Sequence, residues 1–273
     1  MVTPNFPSLG DRLRHRLQQV VPFAVPVVEI PVKLGRDRDR LRYRSAVALK
    51  FAKVYSPPAD SLALANDIAN HWKTPEFEVS VTPPGFLDVT VADAALAEWL
   101  QHLACDRGWE NDDSPYDRDN YTSDPSTSVE VPFSVQYACY RCGSLLRLGE
   151  REGFVKLDSP KGDRIVEPFP LPWLDLASNS PLRCIRHSER NLISECAFVA
   201  DALVAEEISD RPRQILKLAT RLAEAFETFH RDCRIIGRPR AIAQVRLGLL
   251  AVTRVLLKWL LEAGLGVSAL TEL

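Results

Sequence analysis

With 273 residues, 46% hydrophobic and 26% charged, the chain can bury one large core or two modest ones, and its composition is globular rather than fibrous or disordered. No apolar run approaches the roughly 18 residues that span a bilayer, and Met1–Leu17 has no apolar block followed by small residues, so neither a membrane span nor a secretory leader is expected. The net charge of −2 excludes a strongly basic nucleic-acid binder, but the charge is uneven: residues 1–60 carry +6, residues 61–130 carry −11 and the remainder carries +3.

In chain order, a short helix is expected over residues 10–20, then a strand at a sheet edge from Val25 to Val32, where prolines interrupt the alternation. Gly35–Arg40 reads as a solvated turn. Val47, Ala48, Phe51 and Val54 fall at helical spacing from Ser45 to Tyr55, and Pro57-Pro58 ends that helix; a second runs from Ala59 to Trp72. Phe77, Val79 and Val81 alternate, Pro83-Pro84-Gly85 turns the chain, and Leu87, Val89 and Val91 alternate again. A helix follows from Ala92 to Leu103. These elements make residues 1–103 a small α+β domain.

Residues 104–130 have no apolar periodicity, many turn formers and clustered acid, so they read as an acidic linker that cannot offset the entropy of ordering. Residues 131–273 read as an all-α bundle: a helix over Val135–Leu148, an irregular proline-rich stretch over Val166–Trp173, then three amphipathic stripes. The first carries Leu192, Cys196, Val199 and Leu203. The second keeps its period from Ile215 through Leu222 and Phe229 to Ile236. The third runs from Ile242 to Trp259 and stops at Gly264. The fold class is mainly α. Six cysteines without a leader are expected to be reduced thiols, which makes the cytoplasm the default location.

The last third carries an ordered set of motifs: Leu218-Ala-Thr-Arg-Leu-Ala-Glu-Ala-Phe226, Phe229-His-Arg-Asp-Cys-Arg-Ile235, Arg246-Leu247, and Gly264-Leu-Gly-Val-Ser268. It resembles the anticodon-binding (DALR) domain of arginyl-tRNA synthetases, and Val135-Gln136-Tyr137-Ala138 with Arg141, Ser144 and Leu146 resembles the helix that enters that domain. The tail departs from the family pattern, lacking its proline and terminal methionine. Toward the other end, Tyr43–Lys53 and Pro84-Gly85-Phe86-Leu87-Asp88 resemble the N-terminal additional domain of the same enzymes. There Ala46 and Asp88 stand where that family has asparagines.

The resemblance implies a tRNA ligand, gripped near the D-loop by the first domain and at the anticodon by the second. Candidate contacts are Arg40, Arg42, Arg44 and Phe86 in the first, and Phe229, His230, Arg234 and Arg246 in the second. Arginines at alternate positions from Arg36 to Arg44 project to one side of an extended segment and can meet phosphates, or can form a soluble turn with Asp37 and Asp39. Phe226 and Phe229 fit the apolar stripe as core. His230 and Arg234, one turn apart, offer planes on which unpaired bases stack, or a solvated polar face.

Catalysis is not expected. The histidines, at 15, 71, 102, 187 and 230, form no His-x-Gly-His, and with Met1 the sole methionine there is no Lys-Met-Ser-Lys loop to stabilise a transferring phosphate. No dinucleotide or Walker pattern occurs either. Cys139, Cys142, Cys184 and His187 have ligand types and spacing that suit zinc; no other cofactor is expected. The expected reading is therefore a non-catalytic tRNA binder, with arginine tRNA or another structured RNA as partner. A synthetase-derived scaffold that docks a protein instead is the alternative, and no membrane partner is expected.

Overall fold

Ser8 opens the first helix: its hydroxyl accepts from the Asp11 amide at 2.9 Å, satisfying an amide that the first turn leaves unpaired. Helix α1 (Leu9–Val20) then buries Leu9, Leu13 and Leu17 along one stripe. The computed structural model describes residues 8–22, 24–35, 40–53, 60–105, 130–159, 162, 164–175, 177, 181–204 and 212–270. They divide into two compact units, one from Ser8 to Leu96 and the other from Ala97 onward.

In the first unit the elements after α1 are β1 (Val32–Leu34), β2 (Arg42–Ser45), α2 (Val47–Ala52), α3 (Ser61–His71), β3 (Phe77–Thr82), β4 (Phe86–Val91) and the start of α4 (Asp93–Cys105). The four strands form an antiparallel sheet in the order β1-β2-β4-β3. The strand expected over Val25–Val32 lies later, because Val27–Glu29 take a 3-10 turn between Pro26 and Pro31, neither of which can donate to a ladder. Arg42–Ser45 of the arginine segment form β2, so the helix begins at Val47 rather than at Ser45.

Alternation along β2 divides the sheet into two faces. Tyr43 and Ser45 are buried with Leu87 and Val89 of β4, while Arg42 and Arg44 are exposed. The Pro83-Pro84-Gly85 turn is tied to α3 by the Ser61 hydroxyl, which donates to the Pro84 carbonyl at 2.6 Å. Gly85 sits at φ +139°, and a Cβ there would lie 2.7 Å from the Ser61 carbonyl oxygen, so the turn needs glycine.

The second unit begins in the later part of α4 and continues through α5 (Phe133–Arg151), a hairpin of β5 (Lys156–Leu157) and β6 (Ile165–Glu167), α6 (His187–Val204), α7 (Pro212–Asp232) and α8 (Arg240–Trp259), closed by a π-turn at Leu260–Gly264. The hairpin was not legible as strand. Helix α8 differs from its expected amphipathic form: fifteen consecutive residues, Ala243–Leu257, are buried, so it is central and covered on every side. Its polar side chains are each bonded: Gln244 to the Phe154 carbonyl, Arg246 to Glu189, Thr253 to the Leu249 carbonyl and Arg254 to the Cys139 carbonyl.

Glycines let the neighbours of α8 come close. On α5, a Cβ at Gly143 would fall on the Arg254 guanidinium, and one at Gly149 would fall on Leu247. Gly248 of α8 makes room for the Trp173 ring, whose Nε1 donates at 2.9 Å to Gln101 of α4. The Leu171 amide donates to the same oxygen, which orders the proline-rich stretch. No helix among the described residues is long and apolar enough to cross a membrane.

Because Arg254 is itself buried and cannot swing aside, Gly143→Ala is expected to lower stability by about 1–3 kcal/mol through overpacking. Urea unfolding checks this, and an unchanged midpoint would show that α5 and α8 can move apart without cost.

Candidate nucleic-acid interface

The exposed face of the sheet carries the first candidate site. Register places Lys33, Arg44, Asp88 and Ser80 side by side across the four strands, with Arg42 one row away beside Thr90. Arg44 grips Asp88 with two hydrogen bonds, Nε to Oδ1 at 2.7 Å and Nη2 to Oδ2 at 2.9 Å, and the Thr82 hydroxyl donates to Oδ2 at 2.7 Å. The same guanidinium lies 5.2 Å from the centre of the Phe86 ring. The Arg44 hydrogen bonds, with help from Thr82, outweigh burial and hold the Asp88 carboxyl below its usual range.

Arg44, Asp88 and Phe86, with Lys33, Arg42 and Ala46, line a cleft of about 620 Å³. Both positions that depart from asparagine, Ala46 and Asp88, therefore border the same cleft. Arg40 is exposed and 3.9 Å from Glu78, while Arg36 and Arg38 lie outside the described residues.

The second candidate site lies on the bundle, between α5 and α7. His230 stacks nearly parallel on Phe226, with ring centres 5.7 Å apart, and is half-buried. Burial, and then the positive charge of Arg141 on α5, push its imidazole pKa down, so the ring is neutral near pH 7. Arg141 also has a buried Nε with no hydrogen-bond partner. One and two helical steps before it stand Tyr137 and Phe133, whose rings pair at 6.0 Å, with Phe133 largely exposed. Beside them Gln136 pins the C-terminal tail, donating to the Ser268 carbonyl and accepting from the Leu270 amide, both at 3.1 Å.

Several expectations are corrected here. Helix α7 ends at Asp232, so Arg234 is not one helical turn beyond His230 on a shared face; the charge facing His230 is Arg141. Phe229 is wholly buried and cannot stack on a base. Arg246 is buried too: its Nε donates to Glu189 Oε1 at 2.8 Å and its Nη1 to the Arg234 carbonyl, so it holds the turn after α7 instead of touching a ligand. The second oxygen of Glu189 accepts from the Arg186 amide at the start of α6.

The zinc quartet does not assemble. Cys139 and Cys142 are buried on α5, where Cys142 shares its surroundings with Cys196 and Arg254, while Cys184 lies near Glu189 and Cys233, and His187 is exposed. Burial pushes the Cys142 and Cys184 thiols well up, the opposite of what a thiolate ligand needs. No group of three or more His, Cys, Asp or Glu among the described residues could hold a metal ion.

Sequence reasoning quoted Tyr137 and Arg141 for their resemblance, but did not place them, or Phe133, at a site. The available signal was their spacing of four on one helix. That Arg141 faces His230 of α7 is a tertiary fact.

Residues 135–273, half of the chain, match the DALR anticodon binding domain, and the chain belongs to that family. Neither the curated proteins nor the solved structures gave a match.

Two outcomes are expected from this geometry. Glu189→Gln leaves Arg246 buried without its counter-charge and should cost about 3–5 kcal/mol in urea unfolding. In an NMR titration His230 should titrate below about 6.5, and Arg141→Gln should move its midpoint up. A folded-state pKa below the unfolded one means that the stability His230 contributes is present above the unfolded value and is lost as pH falls through the folded one.

Proposed function

We propose that the chain is a non-catalytic RNA-binding protein related to arginyl-tRNA synthetases, which grips tRNA, with arginine tRNA the first choice, and carries out no aminoacylation. The carrying observation is the strip formed by Phe133, Tyr137, Arg141 and His230 inside or next to the stretch that matches an anticodon binding domain. Aromatic rings beside a guanidinium and a neutral imidazole suit unpaired bases, which stack on planes and offer hydrogen-bonding edges. An anticodon loop presents such bases.

The sheet face supports a second contact. Lys33 and Arg42 line the cleft with positive charge of the kind phosphates attract, and Arg44, fixed by Asp88 and laid against Phe86, offers a guanidinium plane; the resemblance implies a place near the D-loop for this unit. Two modest contacts on one ligand bind far more tightly than either alone. Absence of the His-x-Gly-His and Lys-Met-Ser-Lys motifs supports a role in holding, presenting or sequestering RNA.

The test is a titration against total tRNA at low and near-physiological salt, with arginine tRNA as competitor. Salt-sensitive binding that arginine tRNA competes best is expected. Combined Arg141→Ala and His230→Ala should weaken it by about tenfold or more, the scale of lost base stacking, with unchanged circular dichroism. Arg42→Ala should weaken all tRNAs alike and reduce the salt slope by about one. No binding at low salt would reject the reading.

A further inference from the structure

One corner of the bundle is left over by this assignment. There the segment entering α6 meets the turn that follows α7: the Ser188 hydroxyl lies 3.3 Å from Cys233 Sγ, and Arg186 Nη1 donates to the Asp232 carbonyl at 3.4 Å. On these touching segments Ile185 is 67% exposed and Ile236 is 44% exposed, two of the few large apolar side chains so placed among the described residues. On the same two segments the exposed Arg186, Arg231, Arg234 and Arg238 lie within five residues of one or other isoleucine. Of the acids on these two segments, Glu189 is buried against Arg246 and Asp232 pairs with Arg231 at 3.3 Å, so Arg186, Arg234 and Arg238 supply the charge of the corner.

We propose that this corner docks a protein segment that carries carboxylates interleaved with aliphatic side chains, and that it does so separately from RNA. The cations select an acidic ligand, and the two isoleucines narrow the choice. A phosphodiester backbone has no apolar group to cover a branched aliphatic side chain. An acidic segment with leucine- or isoleucine-like residues satisfies both demands, with apolar contact at the centre and ion pairs at the rim. A second copy meeting this patch through the same patch would set like charges against each other, which a two-fold contact cannot avoid.

The corner is also held in place before any partner arrives. Arg246 bonds the Arg234 carbonyl from below, and Glu189 bonds the Arg186 amide, so both segments hang on one buried ion pair. A preorganised surface loses little freedom on binding.

The probe is a short fluorescein-labelled helical peptide with leucines at every third or fourth position and glutamates between, titrated by anisotropy at near-physiological salt. Two control peptides replace the leucines by serine or the glutamates by lysine. Binding of the first peptide alone is expected, and it should weaken by about tenfold in Ile236→Ser, in Ile185→Ser and in Arg238→Glu, the loss of a central interface contact. These side chains are at the surface, so the variants should keep the wild-type melting curve. Ile236→Ser should leave tRNA affinity unchanged, and peptide and tRNA should bind together. The proposal is overturned if no peptide binds, if the serine peptide binds equally well, or if the variants retain affinity. It is overturned in favour of RNA if Ile236→Ser weakens tRNA as much as peptide. It is overturned in favour of self-association if the unmutated protein sediments as a dimer that Ile236→Ser dissolves.

Discussion

The ion pair between Glu189 and Arg246 is the constraint from which the functional half of the bundle hangs. Two charges taken out of water at 2.8 Å are tolerable only when their remaining hydrogen-bonding capacity is used, and here it is. Glu189 gives its second oxygen to the Arg186 amide, and Arg246 gives a further N–H to the Arg234 carbonyl. One buried contact thus joins the start of α6, the turn after α7 and the body of α8. Arg234, two residues past the end of α7, is tied into that turn, while His230 lies in the last turn of the helix with the Arg141 charge acting on it.

The central helix imposes a second condition. Because α8 is covered on all sides, its neighbours must approach it closely, and glycines at 143, 149 and 248 provide the room. Its four buried polar side chains each find a backbone carbonyl or a carboxylate. They serve as ties to the surrounding segments, so Arg246 and Arg254 are structural despite their charge. Charge on a helix is evidence for a binding face only where the helix has a solvated side.

The two candidate RNA faces are built on different principles. On the sheet, strand alternation alone sends Arg42 and Arg44 to the same side, and a cross-strand carboxylate then fixes one of them. An aspartate at position 88 makes Arg44 a rigid, partly neutralised plane. On the bundle, a histidine is drawn half inside, kept neutral by burial and by Arg141, and braced on a buried phenylalanine. The first face offers charge and shape; the second offers flat surfaces. A folded RNA presents partners for both.

Periodicity in the chain was enough to establish the class of fold: an α+β segment, then helices. The Pro-Pro-Gly turn between two alternating runs was legible because only that chemistry turns a hairpin there. The family was legible from motifs along α7 and α8, since residue order survives without coordinates. Three matters belonged to tertiary structure. A stripe of apolar residues says that a helix is buried on one side, but it cannot say that α8 is buried on all of them. A spacing of four places His230 and Arg234 together only if the helix continues, and α7 ends at Asp232. Cysteines and a histidine at ligand spacing become a site only when they converge, and here Cys142 and Cys184 face different neighbours in the core. Local sequence dictates which conformations a segment favours; which side chains meet is decided by packing between segments far apart in the chain, where burial and charge pairing outweigh local preference.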